Sequence, residues 1–163
     1  MIVAFDVHYG ERSARVGCVG FHAWDEAAPA FERAVAVPGA PAPYEPGNFY
    51  LRELPALLAA VRALPERPAV IVVDAYVSLG ARPGLGGHLF EALDRAVPVI
   101  GVAKSEFHGS SAARVVRGAS KKPLFVSAAG IPQDIAAAHV RAMHGAHRVP
   151  TLLARADRLA RGA

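Results

Sequence analysis

Apolar residues fall along this chain in two rhythms. Short, nearly continuous runs at Met1 to Val7, Ala69 to Val73 and Pro98 to Ala103 have the pattern of strands buried on both faces. Each carries an ionisable residue at its carboxyl end: Asp6, Asp74 and Lys104. Two further strands are predicted over Arg15 to Trp24 and Glu32 to Val37, and another over Pro123 to Ser127. Elsewhere the spacing is helical. Leu51, Leu54, Leu57, Leu58, Val61 and Leu64 recur on one face, and because proline is tolerated only in a first turn, Pro55 predicts a helix beginning near Glu53. Gly84 to Val97 reads as a second helix with Leu85, Leu89, Phe90 and Leu93 on one side, and helices near Pro132 to His144 and Pro150 to Arg161 close the chain.

The order is three strands, helix, strand, helix, strand, a hairpin-like piece and two helices. Right-handed crossovers then place the later parallel strands beside the first, giving an α/β mixed sheet with a central first strand and flanking helices. This is the order of the ribonuclease H-like fold. A length of 163 residues with 53% hydrophobic content is expected to form one domain over 1–163. Asp6 breaks the N-terminal apolar run, and no stretch nears the roughly 20 apolar residues that span a bilayer, so a cytoplasmic protein without membrane association is expected; it is also expected to be a monomer. Cys18 is the only cysteine, which excludes an internal disulfide and a cysteine-based zinc site; in an apolar strand it reads as core.

Charge narrows the choice of partner. The formal net charge is +4, and between Lys104 and Lys122 five bases, Lys104, Arg114, Arg117, Lys121 and Lys122, face one acid, Glu106. In a Gly- and Ser-rich segment that is a loop or edge suited to a phosphate backbone. Pro43, Pro46 and Gly47 fix a tight bend with Tyr44 at its tip, an aromatic ring presented to a partner.

Sites in open α/β sheets lie at the carboxyl ends of the parallel strands. Asp6, Asp74 and Lys104 converge there, and the Glu53 helix starts from the same region. Clustered carboxylates repel one another, so their persistence points to a hard divalent ion, magnesium with retained waters. Asp157 lies at the edge of the last helix's apolar face and is a fourth candidate, with a solvated pairing to an arginine as the alternative. His8 lies on the same strand side as Asp6, whereas His139, His144 and His147 share no helical face. Pro83-Gly84-Leu85-Gly86-Gly87 opens a helix but lacks the lysine of a P-loop and the spacing of a dinucleotide motif, which favours close backbone packing over phosphate binding.

Taken together these residues resemble the endonuclease V family of deoxyinosine-directed repair nucleases. Phe5-Asp6-Val7-His8-Tyr9 is similar to the family's Asp-Val-x-Tyr. Pro43-Tyr44-Glu45-Pro46-Gly47 and Leu51-Arg52-Glu53-Leu54-Pro55 are similar to its Pro-Tyr-x-Pro-Gly and Arg-Glu-x-Pro pair, and Ile100-Gly101-Val102-Ala103-Lys104-Ser105 to its Ile-Gly-Val-Ala-Lys-Ser. Lys122 to Ser127 and His147 to Pro150 followed by Ala156-Asp157-Arg158 also fit. The resemblance implies metal ligation by Asp6, Glu53 and Asp74 with Asp157 nearby, Mg2+ or Mn2+ as cofactor, and Lys104 near the scissile phosphate. It also implies that Tyr44 wedges into the lesion, and that Pro46, Gly47, Lys121 and Lys122 meet DNA or RNA. The implied reaction cuts one strand at the second phosphodiester 3′ of the inosine. The family's Asp-Gly-His-Gly is here Asp74-Ala75-Tyr76-Val77, so larger residues stand where glycines line the base pocket. Two other readings use the same scaffold, a structure-directed nuclease without inosine preference and a non-catalytic nucleic-acid binder. A nucleotide-binding enzyme built on the Gly84 loop is a third.

Overall fold

The three N-terminal apolar runs form strands β1 (Ile2–Tyr9), β2 (Ser13–Phe21) and β3 (Phe31–Pro38), each antiparallel to the next. In the computed structural model, which describes residues 1–39, 42–46 and 48–163, they lead into helix α1 (Tyr50–Arg62) and strand β4 (Val70–Val73). A two-stranded ribbon, β5 (Ser78–Leu79) and β6 (Arg82–Pro83), then precedes α2 (Leu85–Ala92) and β7 (Val99–Ala103). Strands β8 (Ala113–Val115) and β9 (Leu124–Ala129) and helices α3 (Gln133–Ala142) and α4 (Thr151–Arg161) complete the chain.

The main sheet has the order β3-β2-β1-β4-β7-β9-β8. Strands β1, β4 and β7 are parallel neighbours, and antiparallel pairs flank them on both sides. Because side chains alternate across a strand, β1 sorts its residues to two cores. Ile2 and Ala4 join Val72, Ile100, Val102 and the inner faces of α3 and α4, whereas Val3 and Phe5 join Ile71, Val73, Val99 and the helices α1 and α2. The result is the ribonuclease H-like sandwich, helices on both faces of a mixed sheet. Cys18 is buried in it, and burial pushes its thiol up to about 12. Among the described residues no helix is long and apolar enough to cross a membrane.

Some boundaries move from those expected. Helix α1 starts at Tyr50, so Pro55 sits in its second turn. The first turn is closed by i to i−3 bonds, Leu51 N–H to Asn48 O (3.1 Å) and Arg52 N–H to Phe49 O (3.2 Å), and the Tyr50 ring stacks on His88 of α2 at 3.5 Å. That tertiary contact holds a turn that local propensity would not extend across a proline. Helix α2 stops at Ala92 instead of running to Val97, because Asp94 and Arg95 both adopt positive φ (55° and 57°), which no right-handed helix accommodates. Trp24 lies beyond β2, and the segment between Lys104 and Lys122 contains the edge strand β8.

Candidate functional site

Asp6, just past the point where β1 ends its parallel pairing with β4, comes together with Asp74 and Lys104, which directly follow β4 and β7. Asp6 and Asp74 share the α4 side of the sheet with Ala4 and Val72, and line a pocket closed by Phe5, Lys104, Val149, Leu153 and Ala156. The Lys104 ammonium is ion-paired with Asp74 Oδ2. Glu53, in the first turn of α1, enters from the opposite helix layer; it is buried and receives no hydrogen bond among the described residues.

The electrostatics show how close the acids stand. Burial, followed by the charges of Asp6 and Asp74, pushes the Glu53 carboxyl up to about 8. Burial, the charge of Asp74 and the neighbouring Asp157 carboxyl push Asp6 up to about 7, against the Val7 N–H that donates to Asp6 Oδ1 at 2.8 Å. Burial alone would lower the pKa of Lys104, but Asp74, with smaller contributions from Asp6 and Asp157, holds it above its ordinary value. Asp157 stands between the acids and an arginine. It meets Asp6 on one side, and on the other its Oδ1 accepts from Arg161 Nε at 2.9 Å. Burial would raise its carboxyl, yet those two partners keep it below the usual range. Among the described residues no three His, Cys, Asp or Glu side chains are gathered tightly enough to hold a metal ion as they stand.

Around this rim the predicted contacts divide. Tyr44 is 65% exposed and Pro46 is exposed, on a stretch anchored by Asn48 N–H to Glu45 O (3.0 Å); Gly47 lies outside the described residues. Lys121 and Lys122 are exposed. Of the other bases in the expected stripe, Arg117 does not face a partner. Arg117 is buried, and its guanidinium donates to the carbonyls of Met143 and His147, while Arg114 is paired with Glu106. Charge counting along the sequence cannot tell a clamp from a contact.

The reading of Val77 as a pocket wall also changes. Val77 is 6% exposed and packs in the core shared with α1 and α2, its N–H donating to the buried Ser127 Oγ at 2.8 Å. A Cβ on Gly86 would stand 2.8 Å from Val77 Cγ2, and one on Gly84 or Gly87 would strike the backbone carbonyls of Tyr76 and Val77. The glycines after Pro83 therefore serve backbone packing. Tyr76 is the residue of this segment that reaches the rim, where its hydroxyl donates to Ser105 O (2.7 Å) and accepts from Phe107 N–H (3.0 Å).

Sequence reasoning passed over Arg148, which donates to the carbonyls of Lys104 and Pro123 and so fixes the backbone from which Lys104 projects. It also passed over Gly17, whose position inside an apolar strand was a usable sign of close backbone approach.

Comparison with known proteins agrees with this architecture. The family model described as Endonuclease V matches residues 1–158. An endonuclease V of Streptomyces avermitilis is 38% identical over 152 residues, covering 80% of this chain and 66% of that relative, so the chain spans just under two thirds of the curated protein. The crystal structure of endonuclease V from Streptomyces avermitilis superposes with a TM-score of 0.75 at 30% identity, over 99% of this chain and 79% of that one. Endonuclease V of Ciona intestinalis, solved in complex with a 24mer DNA containing an inosine followed by a ribo-adenosine, shares the fold at a TM-score of 0.83 and 20% identity, over 99% and 84% of the two chains. With its carboxylates on the rim of a ribonuclease H-like sheet and the family model matched along nearly its whole length, the chain belongs to the endonuclease V family.

Proposed function

We propose that this protein is a metal-dependent endonuclease that nicks one strand of DNA at the second phosphodiester 3′ of deoxyinosine, in DNA repair. The observation that carries the reading is the convergence of Asp6, Glu53 and Asp74 beside Lys104, with two of the three acids raised by burial and mutual repulsion. The donor set fits a hard cation. Its oxygens are carboxylate, Glu53 receives no hydrogen bond among the described residues, and a cation relieves the repulsion that raises the pKa values.

Asp6, Glu53 and Asp74 would hold Mg2+, or Mn2+ in its place, with Asp157 close by. Bound there, the ion would supply Lewis acidity toward the phosphate and make a coordinated water more acidic than bulk water. The remaining work falls to the chain itself. Lys104 Nζ, now on Asp74 Oδ2, reaches a phosphoryl oxygen laid over the same rim and offsets charge that develops there. Arg148 keeps it in place by fixing the Lys104 carbonyl. Water oxygen bonds to phosphorus, the bond to the 3′ oxygen breaks, and the products are a 3′ hydroxyl and a 5′ phosphate. Tyr44, exposed on its proline-bounded stretch, fills the gap left by a displaced base, while Pro46, Gly47, Lys121 and Lys122 meet the nucleic acid around it.

The test is a panel of end-labelled strands: inosine duplex, inosine single strand, the RNA counterpart and undamaged duplex, each with Mg2+ or with chelator. Cleavage confined to Mg2+ and fastest on an inosine strand is expected. Equal rates on all would replace the repair reading with a structure-directed nuclease, and no cleavage of any would leave only a nucleic-acid binder.

A further inference from the structure

Beyond Asp6, β1 and β2 carry a second polar cluster on the same sheet face. The register pairs Asp6 with Gly17 and His8 with Arg15, so these four residues point toward α4. Gly17 lets α4 lie against the strand backbone, which places Asp157 at Asp6 and, one helical turn on, Arg161 beside His8 and Arg15. His8, Ser13, Arg15 and Arg161, with the backbone of Gly162, line an open pocket there. Along this face the charge changes sign within two strand residues, roughly 6.6 Å: acids around Asp6, bases around His8.

The cations of this pocket are available. Arg161 is held to Asp157 through Nε, and no second acceptor engages its guanidinium among the described residues. Arg15 is exposed, makes no ion pair among the described residues, and lies against Gly162, where a Cβ would stand 2.8 Å from Arg15 Nη1. Gly162 takes a left-handed conformation (φ 80°) that ends α4 and leaves that space to the guanidinium.

The geometry points to a phosphate-binding subsite formed by His8, Arg15 and Arg161, which takes a backbone phosphate of the same strand whose neighbouring phosphodiester lies over Asp6 and Asp74. It rests on the nuclease reading and adds to it a second anchoring point. Two cationic forks on an accessible ledge suit a phosphate diester's unesterified oxygens, and the distance from the acids suits a neighbouring position in the strand. The subsite fixes register: it determines which phosphodiester arrives at the acids.

The experiment uses the full chain carrying Asp74→Asn to prevent cleavage, and labelled inosine oligonucleotides in which one phosphate at a time is a neutral methylphosphonate. Arg15→Ala should weaken binding ~3- to 10-fold near 0.1 M salt and reduce the slope of log Kd against log salt by about one, and Arg15→Lys should restore the slope. One methylphosphonate position near the cleavage site should weaken binding by the parent and leave Arg15→Ala unaffected. An unchanged affinity and slope in Arg15→Ala, or equal losses in both proteins at every position, would overturn the subsite. Cleavage by the otherwise native protein with Mg2+ separates the two readings. If it cuts normally while Arg15 has no effect, the subsite alone falls; if it neither binds nor cuts, both fall together.

Discussion

Gly17 of β2 and Ala156 of α4 meet backbone to backbone, so closely that a Cβ on Gly17 would collide with the Ala156 carbonyl oxygen and come within 2.8 Å of the Ala160 nitrogen. This contact sets the height of α4 above the sheet and so brings Asp157 to Asp6. Gly17→Ala should lift the helix, lower stability by ~1–3 kcal/mol and Tm by about 3–10 °C, and reduce cleavage beyond what unfolding explains. Differential scanning calorimetry and turnover at 25 °C check it; an unchanged Tm would mean that the helix sits elsewhere.

The raised carboxyls predict how stability depends on pH. Glu53 titrates at its ordinary 4.5 when unfolded and near 8 when folded, so the metal-free fold holds the proton more tightly. Its contribution to stability is full below pH 4.5 and is lost as pH rises through about 8, with Asp6 acting in the same direction up to about 7. Metal-free Tm should therefore fall between pH 6 and pH 9, Glu53→Gln should flatten the fall, and Mg2+ should raise Tm more at the higher pH, where its ligands are already ionised. A Tm gain from Mg2+ that is independent of pH would contradict the assignment of these acids.

Tyr44 predicts a contact without a structural role. Base–aromatic stacking is worth about 1–3 kcal/mol by alanine substitution, so Tyr44→Ala should weaken binding or slow cleavage of inosine DNA by ~10-fold or more. Tm and Mg2+ affinity should stay at the native values, since the ring is 65% exposed. Native rates in this variant would remove the wedge.

Base preference should follow Tyr76 and not Val77. Val77→Ala empties core volume and should cost about 2 kcal/mol of stability with the ratio of inosine to undamaged cleavage unchanged. Tyr76→Phe removes the hydroxyl that ties Ser105 and Phe107 to the rim and should change that ratio with little effect on Tm. The reverse pattern would restore Val77 as a pocket wall.

Much of this molecule was legible in its sequence because the governing signals are local. Buried runs ending in Asp6, Asp74 and Lys104 announce parallel strands with their ends at one rim, and chain connectivity then leaves little freedom in the sheet order. What escaped depends on partners distant in sequence. Arg117 and Lys121 look alike in composition, yet one is buried under three carbonyls from residues 143–148 and the other faces solvent. Helix α1 crosses Pro55 because Tyr50 finds His88, and α2 ends early because Asp94 and Arg95 turn left-handed, neither of which periodicity encodes. Val77 and a pocket-lining residue would carry the same letter; only the glycines packed on it reveal which way it points.

On the proposed function, Asp6 together with Glu53 and Asp74 performs a metal-dependent cut at a defined phosphodiester. The decisive experiment is end-mapping of the products from a labelled inosine duplex, with Mg2+ and with chelator, for the native chain and for Asp6→Asn of matched Tm. One nick is expected at the second phosphodiester 3′ of the inosine with a 3′ hydroxyl, seen only with Mg2+ and reduced at least ~1,000-fold by Asp6→Asn. The same nick at native rate in Asp6→Asn, or in the presence of chelator, would contradict it.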